Sequence, residues 1–268
     1  MLEPWQIALL ALTGLAGGTL GGFVGIGGAV IFIPMMKVLL DENPHTVIAT
    51  SLVLTVCVGL SSAVGHLRSG RVMGRVVALM VPFAMAAAVA GVHLGNRFTG
   101  DAQAWLWRLL GAFLAYVMLD NIWRLVRRPR PDAAAAAQAT ARNPSLPAAA
   151  AVGASVGFAS GLLGIGGGSV GVPAQQVALR VPLRAAIANS SVMIVLPCAV
   201  AALQKHLSLP GLGLDPARPW LYVVVLAPTA IVGGLIGSHL VHHVPSRWVR
   251  IIFVLFLAWM AWRLLTAS

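Results

Sequence analysis

One pattern of residues occurs twice in this chain, at a constant offset of 139 positions (Gly157 against Gly18). The first copy runs Gly18, Gly22, Gly25-Ile26-Gly27-Gly28, then Pro34, then Ile48-Ala49-Thr50-Ser51. The second runs Gly157, Gly161, Gly164-Ile165-Gly166-Gly167, then Pro173, then Ile187-Ala188-Asn189-Ser190. No gap is needed between the first Gly and the last Ser. A repeat of this length means one module duplicated, so whatever the first half folds into, the second must fold into as well. Glycines that interrupt hydrophobic segments at matched positions in two halves point to a binding site between those halves.

The repeat lies in a chain that water does not suit. It is 59% hydrophobic and 9% charged, with a mean hydropathy of +0.89; a soluble domain carries about 25% charged residues. The length is therefore counted in membrane crossings of about 20 apolar residues each. Apolar runs fall at about 5–24, 28–40, 46–66, 72–97 and 104–126, and again at about 148–163, 167–179, 183–206, 219–241 and 246–265. The later runs align at an offset of 142, with Gly91 and Gly95 against Gly233 and Gly237 and Arg108 against Arg250. Residues 1–126 form the first module and 147–268 the second. Residues 127–146, basic and rich in Ala and Pro, form a linker.

The net charge of +11 does not point to nucleic acid, because the Lys and Arg sit between apolar runs, where they set orientation and meet lipid headgroups. Arg68, Arg71, Arg75 and the linker arginines place those segments in the cytoplasm. The runs 28–40 and 167–179 are too short to span a bilayer comfortably. If each crosses as part of a broken helix, the halves are parallel; if each forms a hairpin that enters and returns, the halves are inverted. Inversion moves Arg180, Arg184, Arg247 and Arg250 inside and leaves Lys205, Arg218 and Arg263 outside, so the charge rule favours it. The expected fold is an all-α polytopic membrane protein of two inverted repeats, each a Gly-broken hairpin plus three transmembrane helices.

The chemistry is sparse. Gly25, Gly27 and Gly28, with Gly164, Gly166 and Gly167, cannot be stable helix interiors at roughly 1 kcal/mol per Gly relative to Ala. An unwound turn that opens a helix directs N–H groups at one spot, and the helix dipole adds to them. Two such turns can clamp one small anion without any charged side chain. Thr50, Ser51, Asn189 and Ser190 supply matched donors early in the next helix. Pro34 and Pro173, nine residues past the first Gly of each turn, are expected to end or kink the short helices. Gly18/Gly22, Gly157/Gly161, Gly91/Gly95 and Gly233/Gly237 read as close helix packing, His93 as a residue in an interhelical contact, and Lys205 as an anchor at a loop edge. Cys57 and Cys198 read as small buried hydrophobes. Asp120 alone among the acids lies in an apolar helix, which argues against a cationic substrate. Gly167-Gly168-Ser169-Val170-Gly171 matches a nucleophile elbow, but no soluble strand precedes it and no acid–base partner is evident. No ATP-binding lysine, metal cluster or cofactor motif is expected.

These paired glycine segments, the Pro after each, and the Ile-Ala-Thr-Ser and Ile-Ala-Asn-Ser runs resemble the TauE/SafE sulfite-exporter family, also called the toluene-sulfonate-uptake permease family. The resemblance covers about residues 8–265. It implies duplicated three-helix modules in a bacterial or archaeal inner membrane, and a multi-pass transporter of sulfite, organosulfonates or other small sulfur anions. An odd number of crossings per module again inverts the second half. The expected partners are the sulfur anion, membrane lipid, a coupling proton and further copies of the chain. A passive anion channel and a non-transporting partner subunit are the alternative uses of the same scaffold.

Overall fold

The computed structural model describes residues 3–25, 27–126, 145–240 and 246–266. They form helices α1 (Pro4–Val24), α2 (Ala29–Leu40), α3 (Pro44–Arg68), α4 (Gly74–Gly95) and α5 (Gln103–Val126) in the first half. The second half holds α6 (Leu146–Leu163), α7 (Gly168–Ala178), α8 (Leu183–Met193), α9 (Val195–Ser208), α10 (Arg218–Leu240) and α11 (Ser246–Thr266). No strand occurs among the described residues. Among the described residues, seven helical segments are long and apolar enough to cross a membrane: α1, α3, α4, α5, α6, the α8–α9 pair and α10. Leu12, Leu119, Leu203 and Val224 are each at least 60% exposed, which suits an outer surface bathed in hydrocarbon rather than water.

Local sequence sets the helix boundaries. Glu3 and Gln6 form a capping box ahead of Pro4, and the Asn43 side chain accepts from the His45 amide at 2.9 Å just before Pro44. Both pairings put proline in the first turn, where its missing N–H costs nothing. Pro197 lacks the N–H that would bond the Met193 carbonyl, and the α8–α9 helix breaks at Ile194. Pro34 and Pro173 do not end their helices. Both lie inside their helices, which run on to Leu40 and Ala178.

The duplication reaches the backbone. Gly25, Gly27 and Gly28 have φ of 77°, 77° and 78°, and Gly164, Gly166 and Gly167 have 70°, 73° and 64°. Even the two non-glycine residues with positive φ among the described residues, Asp41 and Arg180, are 139 positions apart.

The short helices fold back. Gly28 lies against the Gly17 carbonyl, the Phe32 ring covers Gly17, and Gln6 Nε2 reaches the Leu39 carbonyl at 3.5 Å. Gly167 likewise lies against Ser160 and Val156, and Gly171 against Val156. In both halves the numbers rise on one helix as they fall on the other, so α1–α2 and α6–α7 are antiparallel hairpins. At about 1.5 Å per residue, α2 and α7 return through roughly 18 and 16 Å, about half a hydrocarbon core.

Each hairpin packs on the opposite half. A Cβ on Gly14, Gly18 or Gly22 would collide with the backbone of Leu226, Ala230 or Gly234 in α10. One on Gly153, Gly157 or Gly161 would collide with Met80, Ala84 or Ala88 in α4. Numbers rise together in both interfaces, so both pairs are parallel, and their backbones touch through small residues as membrane helices commonly do. These contacts correct the register expected for the fourth helices. Ala230 takes the place of Ala84, an offset of 146 that also aligns Pro228 with Pro82. The expected 142 differs by one helical turn, which keeps the same face forward; at 146, Gly91 aligns with Gly237 and Ala87 with Gly233.

The third helices cross at the centre. Gly59 meets Ile194 and Val195, while Lys205 reaches His45, so α3 and α8–α9 run antiparallel.

Candidate functional site: two glycine turns on crossed helices

Both glycine turns are buried, and each rests on the third helix of the other half. Gly25 meets Ile187, and its repeat mate Gly164 meets Ile48, the mate of Ile187. This reciprocal pair relates the two turns by an approximate two-fold axis. Gly27 lies against Thr55 and Ile194, and Gly167 against Ser160 and Val156. The side chains nearest Gly25, Gly27, Gly28, Gly164 and Gly167 are neutral. The amides at the starts of α2 and α7 have no helical carbonyl behind them, and successive left-handed residues turn such groups into one concavity. The arrangement offers donors and partial positive charge in a low dielectric, which is what an anion needs.

The four polar side chains expected beside the turns are placed unequally. Ser51 Oγ donates to the Gly164 carbonyl at 2.8 Å, tying α3 to the second turn. Thr50 Oγ1 donates to its own helix at Thr46 O, 2.9 Å away. Asn189 is committed twice: its Nδ2 donates to Gln175 Oε1 at 3.1 Å and its Oδ1 accepts from the Met73 amide at 2.7 Å. Ser190 Oγ accepts from Gln175 Nε2 at 3.0 Å and stands beside Gly171.

Gln175 is fully buried and organises both mates, yet its own repeat position holds Met36. An amide inside a short apolar run was the signal for it. Two further hydroxyls, Thr55 Oγ1 and Ser169 Oγ, are buried without a hydrogen-bond partner. Thr55 stands beside Gly27. Ser169 opens α7 and lines a cavity of about 40 Å3 with Val24, Asp120, Asn121, Leu183 and Phe253.

At the end of the bundle where α3 begins, the halves are latched. Lys205 is 1% exposed, not an anchor at a loop edge. Its Nζ donates to His45 Nδ1 at 2.8 Å and to Asn96 Oδ1 at 2.5 Å. Since an ammonium only donates, His45 Nδ1 accepts, and Nε2–H goes to the Phe98 carbonyl at 2.9 Å. Nearby, Glu42 sits in a loop but is buried, and it accepts from Tyr222 and pairs with Arg218 at 2.8 Å. His93, expected in an interhelical contact, lies instead on the outer face of α4.

A family model described as "Sulfite exporter TauE/SafE" matches residues 10–264. The chain belongs to the sulfite exporter TauE/SafE family. It is a multi-pass membrane transporter of that family. The "Probable membrane transporter protein YunE" of Bacillus subtilis (strain 168) is 24% identical over 270 residues, covering 93% of this chain and 95% of YunE. The "Probable membrane transporter protein MamO" of Paramagnetospirillum magneticum (strain AMB-1) is 27% identical over 295 residues, covering 98% of this chain but 45% of MamO. MamO of Magnetospirillum gryphiswaldense (strain MSR-1) is 28% identical over 284 residues, with 44% of its length covered. The chain thus spans less than half of the two MamO proteins. No solved structure shows a significant match. The match between this chain and the TauE/SafE model takes in both glycine turns and both crossed helices.

Proposed function

We propose that this TauE/SafE protein is a secondary transporter of a small sulfur-containing anion, sulfite or an organosulfonate, in a bacterial inner membrane. The anion sits between the starts of α2 and α7, and two inverted repeats rock about it. One observation carries this reading: two buried helix starts, opened by left-handed glycines at matched positions, rest reciprocally on the crossed helices, at Ile187 and Ile48. Discontinuous helices whose N-termini meet at a repeat interface are how membrane transporters hold anionic groups. The antiparallel run of α3 against α8–α9 supports inversion, since repeat mates related by an in-plane two-fold must point opposite ways.

The latch formed by Lys205, His45 and Asn96 joins the halves at the end where α3 begins, which suits a transporter closed on that side. Substituting Gly27→Val or Gly166→Val puts a branched side chain on a left-handed backbone inside the site. Both variants are expected to insert normally and to lose sulfite flux in proteoliposomes. Wild-type flux in both would reject the site. Flux that saturates with substrate and responds to an imposed proton gradient separates a transporter from a passive channel.

A further inference from the structure

We infer that Ser169 is a substrate-contacting residue, and that the two half-sites are unequal, with the start of α7 making the principal contact to the anion. This rests on the reading of the glycine turns as the anion site. Most buried serines in this chain spend their hydroxyl on the protein backbone. Ser61, Ser62, Ser160 and Ser191 donate to a carbonyl three or four residues back, and Ser51 donates to Gly164. Ser169 stands at the second residue of α7, and four residues back is Ile165, in the unwound turn rather than in a helix. Its Oγ is left without a partner although the residue is 6% exposed. A buried hydroxyl in that state is destabilising unless something outside the chain completes it.

The hydroxyl lines the same small cavity that Gly168 lines at the start of α7. A cavity of about 40 Å3 exceeds the roughly 10–15 Å3 that one water needs by this measure, so it has room for a small polar ligand. The start of α7 and Ser169 supply its donors. Its other polar lining is Asp120 and Asn121, and Asn121 Nδ2 is spent on the Val117 carbonyl at 2.8 Å.

The first half-site is different. Val30 occupies the position of Ser169 and is fully buried in the apolar core, and Gly28 is walled by Gly17 and Phe32.

The test is Ser169→Ala in the purified full chain, read by thermal stabilisation with sulfite and, separately, with methanesulfonate. Because Oγ has no partner, the ligand-free variant should melt at or slightly above wild type. Its sulfite affinity should fall roughly 10- to 100-fold, the effect of one hydrogen bond to a charged group. Ser169→Thr should retain most of the affinity. Methanesulfonate, whose sulfonate oxygens would meet the same hydroxyl, should lose affinity in Ser169→Ala in the same way. Equal sulfite affinity in wild type and Ser169→Ala overturns the role of Ser169 and leaves the glycine turns standing. A clear drop in ligand-free melting temperature overturns it too, since the hydroxyl would then be serving the fold. Absence of any sulfite stabilisation or flux in the wild type overturns the glycine-turn reading itself.

Discussion

The interface between α4 and α6 makes a quantitative claim that one methyl group can test. A Cβ on Gly157 would fall on the Ala84 carbonyl, and the same is true of Gly153 on Met80 and Gly161 on Ala88. Carbon approaches a carbonyl oxygen no nearer than about 3.3 Å, so Gly157→Ala must separate the two backbones by about 1 Å or more. A gap of that size forfeits a quarter to a half of each dispersion contact, at about 0.1–0.2 kcal/mol apiece. With some tens of atom pairs across a helix interface, the loss is about 2–3 kcal/mol. Ala returns about 1 kcal/mol through helix propensity. The net destabilisation is then about 1–2 kcal/mol, or roughly 2–8 °C in melting temperature for a chain of this size.

Gly74 supplies the control. It begins α4 with open space, nothing within 4 Å of where a Cβ would stand, and no positive φ, so Gly74→Ala should be neutral or stabilising. Gly18→Ala, which strikes the Ala230 carbonyl, should match Gly157→Ala within about 0.5 kcal/mol. Unfolding of the purified protein in detergent, followed by tryptophan fluorescence, measures all three. If Gly157→Ala melts at or above wild type, the two backbones are not in contact and the cross-half packing is wrong.

Other outcomes follow from the polar clusters. His45→Ala should destabilise more than Lys205→Met, because the first leaves an ammonium buried with one partner fewer while the second removes the charge and orphans only neutral acceptors; thermal melts of the pair check the order, and the reverse order refutes the latch. Gln175→Leu strips partners from Asn189 and Ser190 together and should cost about 2–4 kcal/mol, whereas Met36→Leu at its repeat mate should cost less than about 1.5 kcal/mol; chemical denaturation compares them.

Much of the scaffold is legible because glycine and proline speak locally. A left-handed turn needs glycine at Gly25 and Gly164 whatever surrounds it, and ten apolar runs reappear as helices with boundaries close to those expected. The return of α2 along α1 is only partly legible, because run length leaves a crossing and a hairpin both open and charge alone favours the hairpin; the contact of Gly28 with Gly17 shows the chain folding back. The register of α10 comes out one turn off in sequence because small residues four apart repeat on the same face, although Pro82 and Pro228 carry the right spacing. Lys205 misleads because its position near a helix end suits snorkelling equally well. Only the fold brings His45 and Asn96, 160 and 109 residues away, to meet it. The partners of Asn189 and Ser190 are hidden for a similar reason: Gln175 has no polar mate in the first half.

The exchange of hairpins between halves has a consequence for how the chain is made. α1 finds its tightest neighbour in α10, about 200 residues later in the chain. At a synthesis rate of roughly 5–20 residues per second, the first hairpin waits on the order of 10–40 s in the membrane before that surface exists. During the wait its row of bare glycine backbone faces lipid or whatever insertion machinery shelters it. Neither half is a finished object on its own, so two halves expressed as separate polypeptides should survive in cells only when made together.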